Sequence, residues 1–208
     1  MTDRAGIVVA TAEPTVDDGV RLAYRSGRCT NPELILGRDA TIRSGSVLYA
    51  GTTIGDRFAT GHNVIVREEC SIGADVAIWS NTVVDYGCVI GDRVKIHSNC
   101  YVAQFTVIAD DAFLAPGVSI ANDLYPGDEA SAEVMAGPII EAGAQIGVNA
   151  TLLPYVRIGA GAIVGSGSVV SRDIPAGMVA VGNPARPTRP VSELPPIDLR
   201  IPDPLDRS

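Results

Sequence analysis

Two histidines, four cysteines and a ladder of asparagines carry much of the reactive chemistry of this chain. Histidine is the side chain that most often moves protons near neutral pH and most often holds zinc. His62 and His97 are the only two. Cys29, Cys70, Cys88 and Cys100 are spread too widely for a zinc knuckle or a disulfide framework, and they read as small packing residues. Asn63, Asn81 and Asn99 recur every eighteen residues. So do Asp39, Arg57, Asp75, Arg93 and Asp111, with the charge alternating in sign. Asparagine and aspartate tolerate left-handed backbone, so turns explain both ladders first; Asn81 or Asn99 remain candidates to touch a substrate.

Those spacings require an element that returns to the same place every eighteen residues. Stepping by six from Leu36 meets Ile42, Leu48, Ile54, Thr60, Val66, Ile72, Ile78, Val84, Ile90, Ile96, Val102, Ile108, Leu114 and Ile120. All are aliphatic except Thr60. Neither an amphipathic helix nor an alternating strand has this period. A three-sided coil of short strands does, because each side points one large apolar residue inward. The fourth position of the hexads is rich in Gly, Asn and Asp, as a tight corner demands, and the fifth is mostly small. Stacked coils would place equivalent residues about 4.8 Å apart. On that spacing the backbones of His62 and His97 stand roughly 10 Å apart, too far to share one metal ion within a chain.

The pattern stops after Ile120 and restarts at Ile140, Ile146, Leu152, Ile158, Val164 and Val170. Residues 121–139 are therefore an excursion loop, and long excursions are often functional. The expected organisation is an N-terminal cap over 1–35, a coil of about seven turns over 36–183, and an extended Pro-rich tail over 184–208. The net charge of −8 argues against nucleic acid or an anionic membrane as main partner. No apolar run is long enough to span a bilayer and the N-terminus has no signal-peptide pattern, so a cytoplasmic location is expected.

Three stretches carry a family resemblance: GHNVIVREECSIG at 61–73, VSIANDLYP at 118–126 and VVSRDIPAGMVAVGNPAR at 169–186. Over residues 34–187 the chain resembles the hexapeptide-repeat acyltransferases, in particular those that acetylate amino groups of nucleotide-linked amino sugars. The resemblance implies an all-β, left-handed parallel β-helix that works as a homotrimer. Acetyl-CoA would lie in a groove between subunits, with its cysteamine end toward the excursion loop, and no metal would be used. It assigns catalytic roles to His97, Asn99 and Asp123. Acceptor contacts fall to Asn81, Asn122 and Tyr125, the Asn122–Asp123 pair holding the amine or the sugar hydroxyls. Coenzyme contacts fall to Gly147, Gly165, Arg172, Asn183 and Arg186. Gly159 keeps the same face slim, and Arg189 is a further cation nearby.

The chain departs from relatives of that family in one telling place. Tyr125 precedes Pro126 where galactoside and maltose O-acetyltransferases have a histidine, and no histidine lies between 98 and 208, where serine acetyltransferases keep theirs. The coil-built carbonic anhydrases use three histidines at a subunit boundary, and this chain has two. An amine needs no strong base to attack a thioester, whereas an alcohol does. The expected activity is thus acetyl transfer to an amine. Another hexapeptide acyltransferase, for a small-molecule amine or an O-acetyl acceptor, and a non-catalytic trimeric scaffold are the alternatives.

Overall fold

The computed structural model describes residues 6–196. The chain winds as a left-handed parallel β-helix whose short strands, mostly of two residues, stack into three sheets. Sheet I holds the strands ending at Leu36, Ile54, Ile72, Ile90, Ile108, Ile140 and Ile158. Sheet II holds those ending at Ile42, Thr60, Ile78, Ile96, Leu114, Ile146 and Val164. Sheet III holds the strand Val47–Tyr49 and those ending at Val66, Val84, Val102, Ile120, Leu152 and Val170. Every one of these hexad-leading residues is buried. Thr60, the exception to the aliphatic pattern, is 6% exposed, and its Oγ1 accepts the Arg43 N–H at 2.9 Å.

Backbone hydrogen bonds explain the period. Strand residues donate forward to the next coil, as Thr53 N does to Cys70 O and Ala59 N to Val76 O, both at 3.0 Å. Corner residues reach back: Asp75 N donates to Asp56 O at 2.8 Å and Asn81 N to His62 O at 2.9 Å. Turning a corner N–H backward needs a left-handed conformation, and Asp75 (φ +58°) and Asn81 (φ +61°) adopt it. On the I/II corner the alternating charges join successive coils. Arg57 Nε meets Asp75 Oδ1 at 2.5 Å and Arg93 Nε meets Asp111 Oδ1 at 2.7 Å.

The small residues at the fifth position form a second link between coils. Thr52 Oγ1 donates to Arg67 O at 2.8 Å, Thr82 Oγ1 to His97 O at 2.8 Å, and Cys88 Sγ to Ala103 O at 3.2 Å. Thr82 Oγ1 also accepts the Cys100 N–H at 3.2 Å. Cys70, Cys88 and Cys100 are buried and unpaired as disulfides. Phe58 is the large ring at this position and is fully buried.

The N-terminal segment is more than a lid. Strands β1 (Ile7–Ala10), β2 (Thr15–Val16) and β3 (Arg21–Tyr24) pair in parallel with the first hexad strands of sheets I, II and III. Sheets I and III therefore have 8 strands each, one more per sheet than the hexads predict. Backbone pairing needs no hexad, which is why this coil is invisible in the side-chain pattern. The excursion leaves after Ile120 and returns at Ile139, which pairs with Val107. It contains one short helix, α1 (Glu129–Ala132), capped by Asp128. In the tail, Met178–Gly182 extends sheet II and Ala185–Pro190 folds back antiparallel to it. Residues 197–208 of the expected tail lie outside the described residues. No described helix is long and apolar enough to cross a membrane.

Removing the Thr82 hydroxyl leaves the Cys100 N–H and the His97 carbonyl without this partner. Thr82→Val should lower unfolding free energy by about 1–3 kcal/mol, read by urea denaturation. Thr82→Ser should recover most of it. Equal midpoints for Thr82→Val and the parent chain would refute the bridging role.

Candidate functional site

Functional side chains gather on two different corners of the coil. On the II/III corner the position after each hexad strand of sheet II carries, coil by coil, Arg43, Gly61, Trp79, His97, Ala115, Gly147 and Gly165. His97 is half-buried between two rings. It stacks on Trp79 with centroids 4.3 Å apart at 12°, and meets Phe113 at 5.0 Å and 54°. Its backbone is fixed on both sides, by N–H donation to Leu114 O at 2.8 Å and by the Thr82 hydroxyl on its carbonyl. Neither ring nitrogen has a hydrogen-bond partner among the described residues. No carboxylate among the described residues orients this imidazole, so it lacks the fixed tautomer of a triad base there.

Beyond His97 the column becomes small. A cleft of about 270 Å³ runs past Phe113, Ala115, Gly147, Val148, Gly165 and Ser166. Glycine at 147 is forced by backbone approach: a Cβ there would stand 2.5 Å from Ser166 N and 2.7 Å from Val164 O. At Gly165 a Cβ would meet the movable Val181 Cγ1 at 2.7 Å. The tail hairpin that carries Asn183, Arg186 and Arg189 belongs to the same sheet, at its C-terminal end. Arg186 is exposed, with Nη1 donating to Ala185 O at 2.8 Å. Gly147, Gly165, Asn183 and Arg186 are thus brought to one sheet. Arg172 is not: it follows the Val169–Val170 strand of sheet III and sits on the III/I corner. Two further clefts open on sheet II, one of about 300 Å³ at Arg43, His62 and Trp79, and one of about 740 Å³ at Arg93, Lys95, Phe113 and Gln145.

Asn81 and Asn99 share the His97 corner. Both are left-handed at φ +61°, and Asn81 Oδ1 accepts from Asn63 Nδ2 at 3.3 Å. His62 Nδ1 lies 2.9 Å from Ser44 Oγ on the same corner.

Asn122, Asp123 and Tyr125 begin the excursion on the III/I corner, away from His97. Asp123 Oδ1 accepts the Tyr125 N–H at 2.9 Å and the Ser131 hydroxyl, so it closes the loop on itself. Tyr125 is 72% exposed. The Tyr155 hydroxyl donates to Val134 O and ties the loop to the coil. Leu124, Tyr125, Val134 and Tyr155 leave an apolar surface exposed around it. A single chain therefore does not join His97 and Asn99 to Asp123.

The III/I corner also holds a buried ionic cluster that the sequence reading missed. Glu68 is fully buried and pairs with Arg67 in fork geometry, Oε2 at 2.8 Å from Nε and Oε1 at 3.0 Å from Nη2. Arg67 Nη1 is also 3.5 Å from Asp85 Oδ1, and its guanidinium faces the Tyr49 ring at 5.0 Å. Arg28 covers the Tyr86 ring at 3.9 Å. Burial pushes the Glu68 carboxyl upward, but the Arg67 pair and hydrogen bonds outweigh it and hold the pKa below the usual range. The Tyr101 hydroxyl is pushed up to about 12 by burial and by its bond to Asp85. The signal was present: reading the III/I column every eighteen residues gives Arg67–Glu68, Asp85–Tyr86 and Ala103–Gln104, the first two pairs bringing charge where a corner needs none. No group of three or more His, Cys, Asp or Glu able to hold a metal occurs among the described residues.

Comparison with known proteins agrees with this coil. The bacterial transferase hexapeptide model matches residues 87–122 and 137–172, and the hexapeptide repeat of succinyl-transferases matches 63–104. The bifunctional protein GlmU of Rubrobacter xylanophilus is 46% identical over 82 residues, 39% of this chain and 16% of that protein. A Staphylococcus aureus 2,3,4,5-tetrahydropyridine-2,6-dicarboxylate N-acetyltransferase is 48% identical over 56 residues, 27% of this chain and 23% of that one. The matches span less than a quarter of the length of these relatives. The polySia-specific acetyltransferase NeuO shares the fold, with a TM-score of 0.53 at 21% identity over 89% of this chain and 82% of that one. The matched repeats, over residues 63–122 and 137–172, are similar to those of hexapeptide-repeat transferases, and the fold is shared with NeuO.

Because the folded Glu68 pKa is depressed, its contribution to stability is present above the unfolded value of about 4.3 and is lost as pH falls through the folded value. Unfolding free energy should drop in that acid range, and Glu68→Gln should show a shallower drop from a lower starting point. Denaturant melts across the acid range test this, and parallel curves would refute it.

Proposed function

We propose that the protein is an acetyl-CoA-dependent N-acetyltransferase acting on the amino group of a nucleotide-linked amino sugar. It works in the cytoplasm as a homotrimer without a metal. The observation that carries the choice of an amine is the state of His97, a stacked imidazole with two unbonded nitrogens and no carboxylate behind it. Such a residue can steady a neutral amine or a sugar hydroxyl, but it is poorly equipped to strip an alcohol of its proton. The thioester needs alignment and support for its developing oxyanion rather than activation.

In this reading the pantetheine arm lies along Ala115, Gly147 and Gly165, its carbonyl carbon beside His97. Asn183, Arg186 and Arg189 lie on the same sheet to meet the coenzyme's phosphates, with Arg172 serving a neighbouring subunit's coenzyme. The amine attacks the thioester carbon, the C–S bond breaks, and CoA leaves as a thiolate that takes up the proton the amine releases. Asn122, Asp123 and Tyr125 hold the acceptor across a subunit boundary, since one chain keeps them on another corner. The exposed apolar residues of the loop support such a boundary. A second acceptor class, an amine-bearing acid, is favoured by Lys95, which lines the cleft of about 740 Å³ and has no ion pair among the described residues.

A panel of amino-sugar nucleotides and amino acids, assayed for free CoA release, separates these classes. Release with an amino-sugar nucleotide and not with the parent hydroxy sugar is expected. Release with none of them would leave a scaffold as the better reading. His97→Asn should slow turnover by about 10- to 100-fold, below the cost of about 10⁴-fold for an essential base. Complete loss of turnover in a folded His97→Asn trimer would overturn the base-free mechanism. Light scattering should find a trimer at micromolar concentration, and a stable monomer would remove the shared site.

A further inference from the structure

The III/I corner contains a hydrogen-bond chain that the acyl-transfer reading leaves unused. It begins at Asp85, 6% exposed and facing Arg67. Asp85 Oδ1 accepts the Tyr86 N–H at 2.8 Å. Its Oδ2 accepts from Tyr101 Oη at 2.9 Å and from Gln104 Nε2 at 2.7 Å. Gln104 Oε1, in turn, accepts from Asn122 Nδ2 at 2.7 Å, and the same Nδ2 lies 3.4 Å from Met135 Sδ.

The order of donors along this chain has one solution. An ionised carboxylate only accepts hydrogen bonds. Gln104 must therefore turn its NH₂ toward Asp85 and its carbonyl toward Asn122. Asn122 must then turn its own NH₂ toward Gln104. An isolated amide can point either way, but this one is set by a charge two residues removed in the chain of bonds. Asn122 Oδ1 is left with no hydrogen bond among the described residues and is not buried. The Asn122 backbone is anchored as well, its carbonyl accepting from Ala136 N at 3.0 Å across the base of the loop. Glu69, Phe105 and Tyr155 are the corner residues here, left-handed at φ +61°, +60° and +63° as every corner of the coil requires.

We propose that Asp85, acting through Gln104, is a positioning residue that presents Asn122 Oδ1 as a hydrogen-bond acceptor for the N–H of the incoming amine. The proposal rests on the acyl-transfer reading above and names how its acceptor is held. Asn122 takes no proton. It keeps one N–H of the amine bonded while the lone pair on that nitrogen is left for the thioester carbon.

Asp85→Asn replaces an obligate acceptor with an amide that can donate or accept, so the order is lost while the shape is kept. Gln104→Leu cuts the chain at its middle and serves if the first variant fails to fold. Two readouts are made on the full-length assembly. The first is hydrogen exchange of the Asn122 side-chain NH₂ in ¹⁵N-labelled protein, identified by its absence in Asn122→Asp. One proton should be protected in the parent and unprotected in both variants. The second is steady-state kinetics: KM for the acceptor amine should rise about 10-fold, the scale of one lost hydrogen bond, with KM for acetyl-CoA within about 2-fold of the parent. Retained protection, or an unchanged acceptor KM, overturns the proposal. Failure of the parent to release CoA with any amine would instead sink the acyl-transfer reading, and the exchange measurement would still decide whether Asp85 orients Asn122.

Discussion

The structure depends on one constraint: every coil must hydrogen-bond to the coil above and the coil below through a backbone that turns three corners. Strand N–H groups donate forward and corner N–H groups donate back, so a corner residue has to be left-handed. This favours Gly, Asn and Asp at corners, keeps the strands between them short, and leaves one large side chain per side to fill the core. A residue inserted within a hexad would turn the next inward aliphatic outward. Extra chain is accommodated only as an excursion that leaves and re-enters in register, as Val107 opposite Ile139 illustrates.

A core this narrow has polar groups close to its axis, and they are satisfied locally. The inward hydroxyls and thiols at the fifth hexad position bridge to carbonyls of the next coil, and the described residues contain no buried side-chain polar atom without a partner. The same bridges place the site. The Thr82 hydroxyl that ties two coils together also fixes the carbonyl of His97, so packing and positioning are one interaction there.

The consequence for function is a division of labour between corners. The II/III corner offers a stacked imidazole and a slim groove. The III/I corner offers a loop whose base is set by a charged, hydrogen-bonded chain. A rigid coil cannot bend to bring its corners together, so in the proposed mechanism the two halves meet between copies of the chain. Regular, stiff scaffolds of this kind suit reactions in which alignment supplies most of the rate.

The coil was legible in the sequence because its signal is repetitive and local: the hexads at Leu36 to Ile120 and Ile140 to Val170, the Gly and Asn corners and the Arg57–Asp75 ladder each follow from one residue's place in the repeat. The additional first coil was not, because β1–β3 are held by backbone pairing and carry no hexad. Of the site, the His97–Trp79 column could be read from the period. The same period also separates the corner of Asn122 and Asp123 from that of His97; that the tail folds back and brings Arg186 to sheet II emerged only from the structure. The period stacks Asp85, Gln104 and Asn122 on one corner, but that they are bonded in that order was decided by the tertiary structure alone. They lie in successive coils with ordinary residue types, and only stacking makes a carboxylate, an amide and a loop residue neighbours.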